Sequence, residues 1–216
     1  MQPNQYNKDT SSIVNLRGKL RRIERLHSQQ NKPWILSSSF NEVDSYLPEA
    51  GIPSHAVHAI NGPSALFFLL RLLSVMPIDY KILWCRSAKA QAVPYGPAIL
   101  EHGIDPERIL FVQCHSLQDL LWSYEEALKS SSIHIAILEP EAAIKLIESR
   151  RLQLAAEIGG SIGFLISQSP DYVSNANAIF SRWHITPLPT AGLYQLELQR
   201  MRNAPPKTWQ VGVLNE

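Results

Sequence analysis

Asn61-Gly62-Pro63-Ser64 sits between an apolar, strand-like run at 56–60 and the apolar helical pattern Ala65-Leu66-Phe67-Phe68-Leu69-Leu70. A strand, a turn opening on Gly-Pro and a helix make the layout that cradles a phosphate, because free N–H groups at a helix N-terminus point at the anion. A working cradle also needs a longer loop with a second Gly, a Lys on the outer phosphates and a Ser or Thr hydroxyl on Mg²⁺. The loop here is several residues short and lacks the second Gly, the Lys and the hydroxyl paired with that Lys. Pro63 removes one N–H, and Ala65, Leu66 and Phe67 stand where small or charged residues are required. The string predicts poor or no ATP binding and no cofactor. By itself it also fits an ordinary tight βα turn.

Other candidate chemistry is thinner. Gly159-Gly160-Ser161-Ile162-Gly163 matches G-x-S-x-G. A nucleophile elbow needs a strand before the Ser and a helix after it, and the pattern here is reversed. On a strand, His55 and His58 would point to opposite faces. With Cys114-His115 they form no helical metal-ligand pair, so structural histidines and no metal are expected. Cys85 and Cys114 each lie in or beside an apolar run and read as buried free thiols. Arg150 and Arg151 are adjacent on a helix pattern with Lys145, Ile144, Ile147, Leu152 and Leu154. They read either as a partner or phosphate contact, or as solubilising charges paired with Glu148 or Glu157. Trp122 and Tyr124 read as core or core-edge packing rather than a base-stacking platform.

These residues need a scaffold, and the hydrophobic pattern supplies one. Near-continuous apolar strands at 56–60, 81–85, 109–113, 133–138 and 162–167 alternate with helical stretches at 64–76, 94–102, 117–130 and 141–158. That alternation predicts an α/β core with a mainly parallel sheet flanked by helices. Beyond Pro170, strand patterns at 181–185, 193–201 and 208–214 predict a C-terminal antiparallel β extension, lying on the sheet edge or projecting from it. Near the N-terminus, Ile13, Leu16, Leu20 and Ile23 recur at helical spacing, with Arg17, Arg21, Arg22 and Arg25 on the other faces. A polar stretch at 28–33 then reads as a linker. The expected organisation is a basic amphipathic helix and linker at 1–40, a core at 41–181 and an extension at 182–216.

The chain has 216 residues, 45% hydrophobic and 18% charged, enough for one well-buried domain with short appendages. The formal net charge of +1 is unevenly spread: the first 40 residues are strongly basic, the last 35 mildly basic, and the middle acidic. This places any attraction to polyanions at the ends of the chain and argues against a broad DNA-binding face on the body. No run is long and apolar enough to span a membrane, and Met1-Gln2-Pro3-Asn4 is too polar for a signal peptide, so a cytoplasmic protein is expected.

Several strings resemble the RecA-like ATPase core. Leu47-Pro48-Glu49-Ala50-Gly51-Ile52-Pro53 is similar to that family's Leu-Pro turn before its first core strand, and Asn61-Gly62-Pro63 stands where its phosphate loop begins. Gly103-Ile104-Asp105-Pro106 resembles its helix-to-strand connection, and Phe164-Leu165-Ile166-Ser167-Gln168 the strand ending in its switch glutamine. The closer resemblance, over most of 40–213, is to the ImuA family, RecA-like and SulA-like accessory proteins of bacterial DNA-damage-induced mutagenesis. It rests on Leu83-Trp84-Cys85, Tyr95-Gly96-Pro97, the 103–111 and 121–128 segments, Ser149-Arg150-Arg151-Leu152-Gln153-Leu154-Ala155-Ala156-Glu157, Arg182-Trp183 and Leu196-Glu197-Leu198.

The resemblance implies a RecA-like core and a role in SOS-linked, error-prone translesion synthesis. The implied partners are an ImuB-type Y-family polymerase homologue, an error-prone C-family polymerase and RecA. Departures from the active ATPase pattern imply a non-enzymatic scaffold. Arg86, Ser87 and Ala88 stand where an acidic base is needed, and Glu139, at the metal-coordinating position, has no phosphate loop to serve. Expected contact residues are Arg17, Arg21, Arg22, Arg25, Arg150, Arg151, Arg200 and Arg202, with weak single-stranded DNA contact at the basic ends. The alternatives are a SulA-like inhibitor of cell division and a residual ATPase or recombinase.

Overall fold

Four central strands bury both faces, and their side chains divide by the two-residue period of the pleat. Ile60, Ile82, Trp84, Ile135, Ile137, Ile162, Phe164 and Ile166 enter one hydrophobic cluster. Val57, Ala59, Cys85, Ala136, Leu138 and Leu165, which alternate with them, enter another. The second face is built of smaller residues, which lets two helices lie close to it. At Gly163 an added Cβ would stand 2.5 Å from the Tyr124 hydroxyl and 2.8 Å from Leu128.

The computed structural model describes residues 33–90 and 95–212. Contacts divide the chain at Pro33/Trp34, and all that follows concerns the unit from Trp34 onward. The N-terminal helix expected around 13–23, with Arg17, Arg21, Arg22 and Arg25, lies outside the described residues. In chain order the elements are β1 (Ile35–Leu36), α1 (Asn41–Asp44), β2 (Ile52–Pro53), β3 (Ala56–Asn61), α2 (Ala65–Ser74), β4 (Ile82–Ser87) and α3 (Gly96–Glu101). Then come β5 (Ile109–Cys114), α4 (Leu117–Lys129), β6 (Ile135–Leu138), α5 (Leu146–Gly159), β7 (Ile162–Ser167), α6 (Asp171–Ser174), β8 (Ser181–Pro187), β9 (Leu193–Met201) and β10 (Lys207–Gly212).

The main sheet has the order β10-β9-β8-β3-β7-β6-β4-β5. From β8 to β5 every neighbouring pair is parallel, whereas β9 and β10 add antiparallel to the β8 edge. The α/β architecture expected from the alternating pattern is therefore present, and β9 and β10 continue the sheet rather than project from it. Trp183, Leu196, Leu198, Trp209 and Val211 join the same cluster as the α2 residues Phe68, Leu69, Leu72 and Leu73. No helix of the described residues is long and apolar enough to cross a membrane.

Helix boundaries follow local chemistry. Ser116 caps α4 by accepting the Asp119 N–H at 3.1 Å, and Leu120, Leu121, Tyr124, Ala127 and Leu128 form its buried stripe. Of the two residues read as core or core-edge, Tyr124 is fully buried, whereas Trp122 falls off that stripe and is 62% exposed. The helix expected from residue 141 begins at Leu146, because Glu148 reaches back to the Lys145 N–H at 2.8 Å and fixes the start there. Gly160, at φ 75°, stops it.

Candidate functional site

The carboxyl ends of β3, β4, β6 and β7 meet α2 and α3 around a pocket of about 600 Å³. Such a strand-end crevice is where open α/β sheets bind ligands. It brings together positions singled out from sequence, among them Pro63 of the short turn, Arg86 at the end of β4, Glu139 after β6 and Gln168 after β7. Much of the remaining wall is apolar or aromatic, with Leu66, Trp84, Tyr95, Ile166 and Tyr172.

The short turn is closed on itself. The Gly62 N–H donates to the Ser167 carbonyl at 3.1 Å, Ser64 N–H to Ile185 carbonyl at 3.2 Å, and Ala65 N–H to Gly62 carbonyl at 3.1 Å. Pro63 has no N–H to offer. The amides of residues 62–65 that would face an anion are thus used within the protein. Gly62, at φ 104°, is required here, because a Cβ would lie 2.4 Å from the Ile185 carbonyl oxygen. The turn is packed against β8, and the Asn61 side-chain carbonyl meets His184 Nδ1 from the same strand.

Glu139 is held at both oxygens. Trp84 Nε1–H donates to Oε1 at 2.7 Å, and Arg86 Nη2 lies 3.5 Å from Oε2. Burial raises the Glu139 pKa, while Arg86 and the indole pull it the other way. Arg86 itself is 2% exposed, standing at the place where an acidic base had been sought. The buried guanidinium and the indole compensate the charge of this carboxylate. Among the described residues, no group of three or more His, Cys, Asp and Glu is placed to hold a metal ion.

The histidines do other work. His55 lies before β3 at φ 59° rather than on the strand, and its Nδ1 meets Ser54 Oγ at 2.8 Å. His58 is completely buried between Ser181 Oγ, 2.7 Å from Nδ1, and the Pro53 carbonyl, 2.9 Å from Nε2. Burial lowers its pKa to about 4.

A second group gathers at the other exposed site, where α5 passes the chain before β8 and the end of β9. Arg150, Arg200 and Arg202, which the sequence does not place near one another, line one depression of about 470 Å³. Arg151 is turned away and pairs with Glu125 of α4 at 2.5 Å, not with Glu148 or Glu157 as the helix spacing suggested. Gln153 was missed by sequence reasoning. Its Oε1 accepts the Val57 N–H at 3.0 Å and its Nε2 donates to Glu157 at 2.9 Å, tying α5 to β3. Only the polarity of Gln153 inside a mostly apolar stripe signalled that role.

Comparison with known proteins places this geometry in context. No protein-family model matches the sequence. The chain is similar to protein ImuA of Caulobacter vibrioides in strains NA1000 / CB15N and ATCC 19089 / CIP 103742 / CB 15, each 27% identical over 206 residues, covering 81% of this chain and 82% of the relative. In fold it is similar to the crystal structure of the RadB recombinase, with a TM-score of 0.63, 15% identity and coverage of 83% of this chain and 96% of that one.

Proposed function

We propose that this chain, similar in sequence to protein ImuA and in fold to the RadB recombinase, is a non-catalytic accessory protein of DNA-damage-induced mutagenesis. It acts in SOS-linked, error-prone translesion synthesis in the cytoplasm, by holding protein partners. Those partners are an ImuB-type Y-family polymerase homologue and an error-prone C-family polymerase, with RecA a further one. The work is divided among a basic contact arm at 1–40, the RecA-like body at 41–181 and the segment at 182–216.

The observation that carries the non-catalytic reading is the closed turn at 61–64. Phosphoryl transfer depends on positioning and on electrostatic stabilisation of the phosphates. Here the turn's amides are spent on Ser167, Ile185 and Gly62, and the nearby carboxylate is tied to Arg86 and Trp84. The sheet remains a rigid platform because a hydrophobic cluster is packed on each of its faces. Single-stranded DNA contact, where it occurs, is weak and comes from the basic ends.

The test is reconstitution from purified proteins. The full chain, mixed with the two polymerase proteins of its own genome, elutes with them as one complex in size-exclusion chromatography, with or without ATP. Separate elution, or a complex that forms only with hydrolysable ATP, overturns the proposal.

A further inference from the structure

The depression beside α5 combines features that an isolated protein surface rarely keeps. Leu146, Arg150, Leu154 and Ile158 follow one another at four-residue spacing along α5 and are all exposed, Leu154 at 50% and Ile158 at 71%. Ile147 beside them is 84% exposed. A helix in a packed domain normally turns such a row inward, so this is a largely exposed apolar ridge interrupted by Arg150.

The wall facing the ridge is cationic. Arg200 and Arg202 reach it from the end of β9 and the residue just beyond, and Arg182 stands directly across from Arg200 in the β8–β9 register, at a bulge. Like charges in directly opposed positions destabilise a sheet. Arg182 records the strain: burial and the neighbouring Arg200 hold its guanidinium below the usual arginine range. Against these cations and Arg150, the carboxylate on the lining is Glu157, which already accepts Gln153 at 2.9 Å and meets Arg202 at 3.4 Å. The depression therefore carries surplus positive charge beside an apolar ridge.

We infer that this groove between α5 and the β8–β9 end is a docking site for an acidic amphipathic helix of a protein partner. Such a helix presents leucine-like anchors to Leu146, Leu154 and Ile158 and carboxylates to Arg150, Arg200 and Arg202. Two other occupants fit less well. The chain's own N-terminal 40 residues are basic and would be repelled. Single-stranded nucleic acid wants exposed aromatic faces for stacking, yet the nearby Phe180 ring is half-buried and capped by the Arg202 guanidinium at 5.7 Å.

The inference deepens the scaffold reading without depending on its nucleotide-free pocket, since the two depressions share no lining residue. The probe is a phage-displayed library of random helical 16-residue peptides, panned on the full-length chain, followed by fluorescence anisotropy of the enriched peptide. Enrichment of Asp and Glu interleaved with Leu or Ile at three- and four-residue spacing is expected. Arg150→Glu with Arg200→Glu weakens that peptide at least ~10-fold, about 1.4 kcal/mol, and Leu154→Ser does so by several-fold, with circular dichroism unchanged. Neutral or basic enriched sequences, or acidic peptides indifferent to all these variants, overturn the inference. So does loss of oligothymidylate binding in the groove variants, which would make the groove a nucleic-acid site. ATP binding alone would sink the non-catalytic reading and leave this one standing.

Discussion

Replacing His58 by Gln should make the protein's stability less sensitive to acid. Pro53 offers only a carbonyl, so His58 must donate from Nε2, which leaves Nδ1 as an acceptor for the Ser181 hydroxyl. Ser181 Oγ in turn accepts Trp183 Nε1–H at 3.0 Å. Every group in this chain is satisfied when the imidazole is neutral. A proton on Nδ1 would force Ser181 Oγ to accept from both His58 and Trp183, and would turn the hydroxyl hydrogen away from its partner. That conflict adds to burial, which holds the pKa at about 4.

The sign follows from proton linkage. The unfolded chain, with an ordinary histidine pKa near ~6.5, binds a proton that the folded protein refuses, so stability falls as pH drops below that value. The gap corresponds to ~3 kcal/mol in full, of which ~2 kcal/mol is lost between about pH 7 and about pH 5. His55 and His134 are also shifted down by burial and push in the same direction, but they cancel when wild type and His58→Gln are compared. Urea denaturation at the two pH values should show the wild type losing ~2 kcal/mol more than the variant. An NMR titration of the His58 ring supplies a check that does not require a stable variant. Equal acid losses in the two proteins, or a His58 resonance that titrates near ~6.5, would refute the network.

Other outcomes follow from the same packing. Tyr124 is fully buried and its hydroxyl has no hydrogen-bond partner among the described residues, so Tyr124→Phe should leave the melting temperature unchanged or raise it, by up to ~1 kcal/mol in stability. Burial drives the Cys85 thiol up to about 12; the native protein should therefore resist alkylation there at neutral pH, with reaction appearing only on unfolding. In a salt series with single-stranded DNA, charge reversal at Arg21, Arg22 and Arg25 should reduce binding far more than reversal at Arg150 and Arg151, and binding should fall steeply with salt. Tight, salt-insensitive binding that survives the arm changes would place the DNA site in the core instead.

The sheet was legible from sequence because its parallel strands are apolar on both faces, and a run such as Ile162-Gly163-Phe164-Leu165-Ile166-Ser167 leaves little choice of structure. What stayed hidden depended on contacts between distant residues. The type of Trp122 suggests a core or core-edge place, yet one helical step from Leu121 turns it largely outward. Arg151 offered local acids at plausible spacing, but the fold brings Glu125 of α4 closer. The Asn61–Ser64 turn was recognised as an incomplete phosphate cradle from the residues it lacks. That its amides are bonded to Ser167 and Ile185 required the positions of β7 and β8. The arginine groove was invisible for the same reason, since Arg150 and Arg200 are fifty positions apart and meet only when β9 joins the edge of the sheet.

Calorimetric titration of Mg·ATP into the full-length chain tests the central claim most directly. With the turn's amides committed and Glu139 held by Trp84 and Arg86, no saturable heat is expected at nucleotide concentrations up to ~1 mM. Binding at about 1 μM, near −8 kcal/mol, would contradict it and make this pocket a working nucleotide site.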